Sequence, residues 1–335
     1  MTGQIDKRFK KYINLNMREK VSVIIPTWDK DLAIVEGAIK SVLWADEVIL
    51  VDSSCSKKVE AVAKKWNLVY FARQMKNWAE QKNWAILKVK HKWVIILDSD
   101  EVITDKLTKT FKSLLKNESI NDYDGYGVAR KHFFFGKFLR WGGRYPLYNI
   151  RLFKQKCRYE KRDVHEHIVL KKKQIKNIKP KFGDMLHFGD RNFSQFFQRF
   201  ESYSTHQADY MLRIIKRKKT EINWIEFFTN FYYFKSIVKD YWFFIPGTSI
   251  SRFIWMYIIR FGFLDGRYGF IIALFYGFQD YVAKLKFKER YKGKSLIRAK
   301  FIDCFMEKIT PALLKNSRLE KDYIRGYQKV FMAIK

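Results

Sequence analysis

The amino-acid sequence predicts an α/β protein in which a mostly parallel sheet with helices on both faces is followed by a helical, aromatic and basic region. Three observations carry this. Short β-branched or apolar runs recur at Val21–Ile25, Glu47–Val51, Asn67–Phe71 and Trp93–Leu97. Helical patterns of ten residues or more lie between them, at Asp31–Leu43, Lys57–Trp66 and Trp78–Val89. Strand alternating with helix is the pattern of βαβ units, which build parallel sheets. Beyond about Asn192 the texture changes to Phe, Tyr and Trp interleaved with Lys and Arg.

Taken in order, residues 1–20 are a basic extension, 21–190 the α/β domain and 191–335 the helical region. The extension lacks the apolar stretch of a secretory signal, so the chain is expected on the cytosolic side. In open α/β sheets, ligands bind beyond the carboxyl ends of the strands. Those ends read Pro26-Thr27-Trp28-Asp29, Asp52-Ser53-Ser54, Ala72-Arg73 and Asp98-Ser99-Asp100-Glu101, and three of the four carry an Asp. A longer strand is expected at Gly125–Phe135, then a Gly- and Trp-rich stretch to Phe153. After Asp163-Val-His-Glu-His167, the Lys-rich run 171–181 reads as a solvated hairpin or loop. Cys55, Cys157 and Cys304 fit no metal-ligand spacing and are expected to be reduced thiols.

With 66 Lys and Arg against 34 Asp and Glu, the net charge of +32 calls for an anionic partner: nucleic acid, an acidic membrane surface or a phosphorylated small molecule. Nucleic acid is the weakest of these. The charge is spread along the chain, no helix-turn-helix, zinc-finger or ribonucleoprotein signature is present, and an acidic triplet would repel phosphate. In the most apolar stretch, Phe253–Phe278, Arg260, Asp265 and Arg267 leave pieces shorter than the ~20 residues that cross a bilayer. Surface contact or shallow insertion is therefore expected. The aromatic residues of 223–287 read either as a helical core or as an interfacial surface whose rings enter the headgroup region while cations meet anionic lipid.

The sharpest local signal is IILDSDEV, residues 95–102, which spends three scarce carboxylates at one strand end. Alternate residues of extended backbone share a side, so Asp98 and Asp100 can jointly hold a hard cation, Mg²⁺ or Mn²⁺. The competing reading is an N-cap for a following helix.

The ordered set VSVIIPTWDK, WADEVILVDSS, EQKNWAI, ILDSDEV, GGRYPLYNIRLF and DVHEHI closely resembles the family 2 inverting glycosyltransferases of GT-A (Rossmann-like) fold. The branch it is most similar to adds hexose to the lipopolysaccharide inner core, and Gly262-Phe-Leu-Asp-Gly-Arg-Tyr-Gly269 also looks like that branch. The resemblance implies a UDP-sugar donor at the strand ends, with Pro26, Thr27 and Ser99 on the donor side. Asp52 would lie near uracil or ribose, Asp98 near the ribose, and Asp100 on the metal, with Glu101 in support. Gln81, Lys82 and Asn83 would contact donor hydroxyls or phosphate, or simply form a solvated helix face. After the second strand the family reads D-S-x-S-T-D-G-T, whereas this chain has Asp52-Ser53-Ser54-Cys55-Ser56-Lys57-Lys58, so the base would be gripped differently.

Inversion needs a base opposite the leaving group. By resemblance that base is Glu166, with Asp163 as runner-up. His165 would ligate metal, orient Glu166 or fill a polar core position, and His187 is a possible third metal ligand. Trp141, Gly142, Gly143 and Arg144 would form the acceptor loop, with a turn around a core Trp as the other reading. Arg151 would meet the diphosphate or Glu101. The implied acceptor is a lipid-linked saccharide, either a lipopolysaccharide core or a polyprenyl-diphosphate oligosaccharide. It would be presented at an anionic membrane surface on the inner face of the cytoplasmic membrane, with no nucleic acid involved.

Overall fold

The structure is a computed structural model that describes residues 18–160, 167–171, 174–190, 193–216, 229 and 242–292. Among the described residues there are two units: the first holds those up to His132 together with Tyr145–Gly189, the second Phe133–Arg144 together with those from Asp190 to residue 292.

In the first unit, strands β1 (Val21–Thr27), β2 (Glu47–Asp52), β3 (Val69–Ala72) and β4 (Trp93–Ile96) are parallel in the order 3-2-1-4. Beyond β4 the sheet continues through β8 (Leu147–Lys154), β6 (Gly125–Phe134), β10 (Met185–Asp190) and β5 (Glu101–Ile103), with β8 antiparallel to β4. All seven β1 residues and all six β2 residues are buried, as expected of strands covered on both faces. Their side chains alternate between two cores. Val23, Ile25, Leu50 and Ile95 face helices α1 (Leu32–Val42), α2 (Lys57–Lys65) and α4 (Asp105–Lys116), while Ile24, Ile49, Val51 and Ile96 face α3 (Trp78–Ile86). Each fully buried Ile or Val contributes roughly 1.5–3 kcal/mol.

Side chains close the helix starts. Ser56, Asn77 and Thr104 accept from the backbone N–H of Lys58, Glu80 and Leu107, each cap contributing about 1 kcal/mol. Thr104 is therefore the cap of α4, and the acidic triplet before it enters β5 instead, so the N-cap reading of Asp98–Glu101 fails. The third strand begins at Val69 because Asn67, at φ 51°, takes the left-handed conformation that ends α2.

The Lys-rich run contains a strand, β9 (Ile175–Ile178), parallel to β6. Its Asn177 lies so close to β6 that a Cβ on Gly127 would come within 2.1 Å of the amide oxygen. Asp124 pins the start of β6, accepting hydrogen bonds from Lys154 Nζ at 2.8 Å and Gln174 Nε2 at 3.0 Å, and pairing with Lys156.

In the second unit, α5 (Phe193–Lys216), α6 (Thr248–Ile254), a π-turn (Trp255–Ile259) and α7 (Gly266–Lys292) surround an aromatic core of Phe134, Phe135, Phe196, Phe200, Tyr268 and Phe275. Its first two rings come from the hairpin of β6 and β7 (Lys137–Phe138). Lys286 is fully buried, with Nζ donating to Ser204 Oγ and Thr205 Oγ1, both at 2.7 Å, and pairing with Glu201. Among the described residues no helix is long and apolar enough to cross a membrane.

Two stability outcomes are expected. Ile95→Ala should lower the unfolding free energy by about 2–4 kcal/mol, read by urea denaturation, because the cavity opens in a close-packed sheet. The hydrogen bonds from Lys154 and Lys156 hold the Asp124 pKa below its ordinary value. A depressed folded-state pKa stabilises above the unfolded pKa and is lost as pH falls through the folded one. Asp124→Asn should accordingly unfold at a lower urea midpoint than wild type at pH 7, with the gap closing in strongly acidic buffer.

Candidate active site

The ends of the four parallel strands are built from the backbone outward. Pro26 and Thr27 stand opposite Val51 and Asp52 in register. The Thr27 carbonyl accepts from Ser53 N–H, and Thr27 Oγ1 is buried with no hydrogen-bond partner among the described residues.

The fully buried Asp52 carboxylate accepts four hydrogen bonds: Ser54 N–H at 2.8 Å, Ser54 Oγ at 2.6 Å, Ser56 N–H at 2.6 Å and Tyr70 Oη at 2.9 Å. Burial and Asp52 raise the Tyr70 pKa, which keeps the phenol a donor. Asp52 therefore shapes the Ser53–Ser56 loop. Ser54 Oγ links that loop to Asp29, both accepting from its N–H and donating to its carboxylate.

Helix α3 presents three consecutive residues with three tasks. Gln81 Nε2 donates to the Arg73 carbonyl at 2.9 Å and its Oε1 accepts from the Arg73 guanidinium at 2.9 Å, which closes the end of β3. Asn83 clamps the Tyr159 backbone, giving to its carbonyl at 2.9 Å and accepting from its N–H at 2.8 Å. Lys82 is buried rather than solvated; its Nζ lies 3.3 Å from Asp98 Oδ1 and 5.3 Å from the centre of the Tyr159 ring.

The acidic triplet divides. Arg151, on β8, donates to Asp98 Oδ2 at 2.9 Å and to Glu101 Oε1 with the same nitrogen. Glu101 is wholly buried, accepts from Asp98 N–H at 3.1 Å and has Arg130 at 3.6 Å. Burial pushes the Glu101 pKa up to about 7 against the pull of Arg151. Asp98 goes the other way: burial would raise it, but Lys82 and Arg151 more than offset that and hold it well below the carboxylate range. Ser99 Oγ donates to Asp31 at 3.0 Å.

Asp100 turns elsewhere, its carboxylate 3.5 Å from His187 Nε2. The backbone explains the meeting: β10 runs antiparallel to β5 with His187 opposite Glu101, and Phe188 N–H donates to the Asp100 carbonyl. His187 Nδ1 is 2.8 Å from Nδ1 of His132, a buried residue of β6.

Among the described residues no three His, Cys, Asp or Glu converge to hold a metal. Asp100 and His187 offer two donors, a carboxylate and an imidazole. That set suits Mn²⁺ or Mg²⁺ when phosphate oxygens and water complete the shell.

The structure thus brings Lys82, Asp98, Asp100, Glu101, Arg151 and His187 together, with Thr27, Asp52, Gln81, Asn83 and Ser99 on the elements that frame them. Trp141, Gly142, Gly143 and Arg144 belong to the second unit. There Asp265 receives Trp141 N–H at 2.8 Å, Gly142 N–H donates to the Arg260 carbonyl, and Arg144 donates to Tyr276 Oη at 2.9 Å. Gly142 and Gly143, at φ 65° and 74°, take left-handed turns. Asp163, His165 and Glu166 lie outside the described residues.

Arg130 and His132 were absent from the sequence-based set. Their signal is period two: positions 128, 130 and 132 share one side of β6, so a cation and an imidazole fall on the same side as Val128, with Lys131 on the other.

Comparison with known proteins gives the same direction. The family described as glycosyl transferase family 2 matches residues 22–178. An uncharacterized glycosyltransferase of Rickettsia bellii is 27% identical over 113 residues, 33% of this chain and 38% of that protein. A lipopolysaccharide core biosynthesis glycosyltransferase, LpsC, of Rhizobium meliloti is 25% identical over 188 residues, 54% of this chain and 68% of that one. The matched region thus spans well under half of the first relative. Among solved structures, S. aureus TarS 1-349 in complex with UDP-GlcNAc is 13% identical, with 82% of this chain and 92% of that chain covered at a TM-score of 0.40. Residues 22–178, which hold every charged group of the strand-end cluster except His187, are a glycosyltransferase domain of family 2.

Proposed function

We propose that the protein transfers a hexose, glucose by resemblance, from a UDP-sugar to a lipid-linked saccharide with inversion at the anomeric carbon. The observation that supports this most is the strand-end cluster of a family 2 domain, where Lys82 and Arg151 flank Asp98 while Asp100 meets His187. The name of the relative LpsC supports a lipopolysaccharide-core acceptor; a polyprenyl-diphosphate oligosaccharide is the alternative that product analysis separates. The excess of positive charge suits an anionic membrane surface on the cytosolic side.

In this reading Asp98 orients the ribose, and Lys82 and Arg151 place positive charge where a diphosphate would lie. Asp100 and His187 would hold a divalent ion, which when bound supplies Lewis-acid stabilisation of the departing diphosphate. For His187 to offer Nε2 to a cation, its proton must sit on Nδ1, and donating that proton to His132 Nδ1 fixes this tautomer. Glu166 takes the acceptor hydroxyl's proton as that oxygen attacks, with Asp163 as the second candidate, and His165 orients Glu166 or joins the metal. Trp141 stacks on the acceptor sugar and Arg144 meets its phosphate.

Three outcomes test this. Asp100→Asn should reduce Mn²⁺-dependent UDP release by roughly a hundredfold or more, since the charge-stabilising ion loses its carboxylate; undiminished release would refute the metal assignment. Glu166→Gln should bind UDP-sugar as wild type does in calorimetry while losing transfer, and full transfer would dismiss it as the base. His132→Phe should weaken Mn²⁺ binding about tenfold in a direct titration followed by electron paramagnetic resonance, because the imidazole it orients is released.

A further inference from the structure

The second unit carries an apolar surface that its own described packing leaves uncovered. Trp255, Ile258 and Ile259 of the π-turn and Phe261, Phe263 and Leu264 after it are each 45–55% exposed. Ile250 on α6 and Leu274 on α7 extend this surface along both helices. The helices run so close that a Cβ on Gly277 would come within 2.7 Å of the Ser249 carbonyl, and one on Gly269 within 1.8 Å of the Gly262 carbonyl. Ring contacts of Tyr257 with Phe263 and Phe270 join the two sides. The result is a helical hairpin with an apolar tip. At that tip Phe261 is held at φ 58°, a left-handed conformation unfavourable for a bulky residue, and its ring, edge-to-face with Trp141, is still half exposed.

A patch of this kind marks an interface, and its charges choose the occupant. Arg260, exposed with its guanidinium over Trp255, and Arg267, exposed beside Tyr268, lie within or at the edge of the apolar surface. The single acid of residues 248–275, Asp265, already accepts the N–H groups of Arg140 and Trp141. Two copies of the chain pairing symmetrically here would gather both Arg260 and both Arg267 side chains with only the two Asp265 carboxylates, already engaged, to offset them. A phospholipid surface meets every requirement: acyl chains for Ile, Leu and Phe, the interfacial layer for Trp255, and phosphates for the two arginines.

We infer that the Trp255–Leu264 tip is a membrane-insertion element that enters one leaflet of an anionic bilayer without crossing it. This deepens the proposed lipid-borne acceptor and rests on that reading for its purpose, whereas binding itself requires no transfer chemistry.

The test uses the full chain with vesicles of phosphatidylcholine alone or with about a third phosphatidylglycerol, an anionic fraction sufficient for basic residues to register. With anionic vesicles, sedimentation should recover the protein and Trp emission should shift to the blue and be quenched by brominated acyl chains, with the quenching diminished in Trp255→Phe. Ile258→Ser/Ile259→Ser should reduce vesicle partitioning at least tenfold at an unchanged melting temperature, since two buried side chains leave the lipid. Arg260→Glu should reduce it on anionic vesicles only. UDP-sugar hydrolysis measured without lipid should be unaffected by these tip variants. Vesicle binding that survives Ile258→Ser/Ile259→Ser overturns the proposal, as does a concentration-dependent dimer that the same variants disperse. Failure of the wild-type chain to bind anionic vesicles while it still hydrolyses UDP-sugar counts against insertion alone, and vesicle binding by the wild-type chain without any sugar-nucleotide turnover counts against the transfer reading alone.

Discussion

The ion pair of Arg151 with Glu101 is the interaction on which the rest of the first unit depends. Both residues are buried, and a buried charge without its partner costs several kcal/mol. Glu101 opens β5 and Arg151 lies on β8, so the pair ties the sheet's far edge to its centre. The register of β8 on β4, with Leu152 opposite Ile95 and Phe153 opposite Val94, delivers the guanidinium to that side of the sheet. A slip of one residue would send Arg151 to the other face and leave Glu101 buried with Arg130 alone. Where the sheet changes from parallel to antiparallel, register and electrostatics therefore specify each other.

The same pair governs what the site can attract. Asp98 and Glu101 pair with Lys82, Arg130 and Arg151, and Asp100, which meets His187 instead, brings the carboxylates to three beside three cations. A balanced cluster offers little net field to a diphosphate. A divalent ion at Asp100 would tip that balance toward positive charge where a nucleotide sugar's phosphates would arrive, so in this reading metal and donor favour each other's binding.

Between residues 21 and 97 the fold was legible because burial on both faces and short connections leave strong periodic signals. It became less so where long-range contacts decide. The Lys-rich run 171–181 shows nothing of strand β9, whose formation depends on Asn177 packing over a glycine 50 positions earlier. The resemblance marked Asp52 and Asn83 for the donor. In the structure Asp52 holds its own loop and Asn83 a backbone 76 residues away, tasks that a linear pattern does not reveal. The resemblance brought Asp100 and His187 onto one list, and only the β5–β10 register shows why they meet. His132 escaped because a single imidazole in an aromatic strand reads as core until its partner is known.

The second unit poses the converse difficulty. Helix α7 carries large apolar residues around its whole circumference, so periodicity cannot say which rings point inward. Glycine spacing can. Gly262, Gly269 and Gly277 fall where backbone meets backbone, and this close approach directs Tyr268, Ile272 and Phe275 into the core while Leu274 and Tyr281 remain outside. The arginines then decide between outside and across. Arg260 and Arg267 interrupt the apolar run too often for a spanning helix, yet a water-exposed surface gains nothing from so many exposed rings. On the insertion proposal, a boundary between water and hydrocarbon satisfies both side-chain types at once.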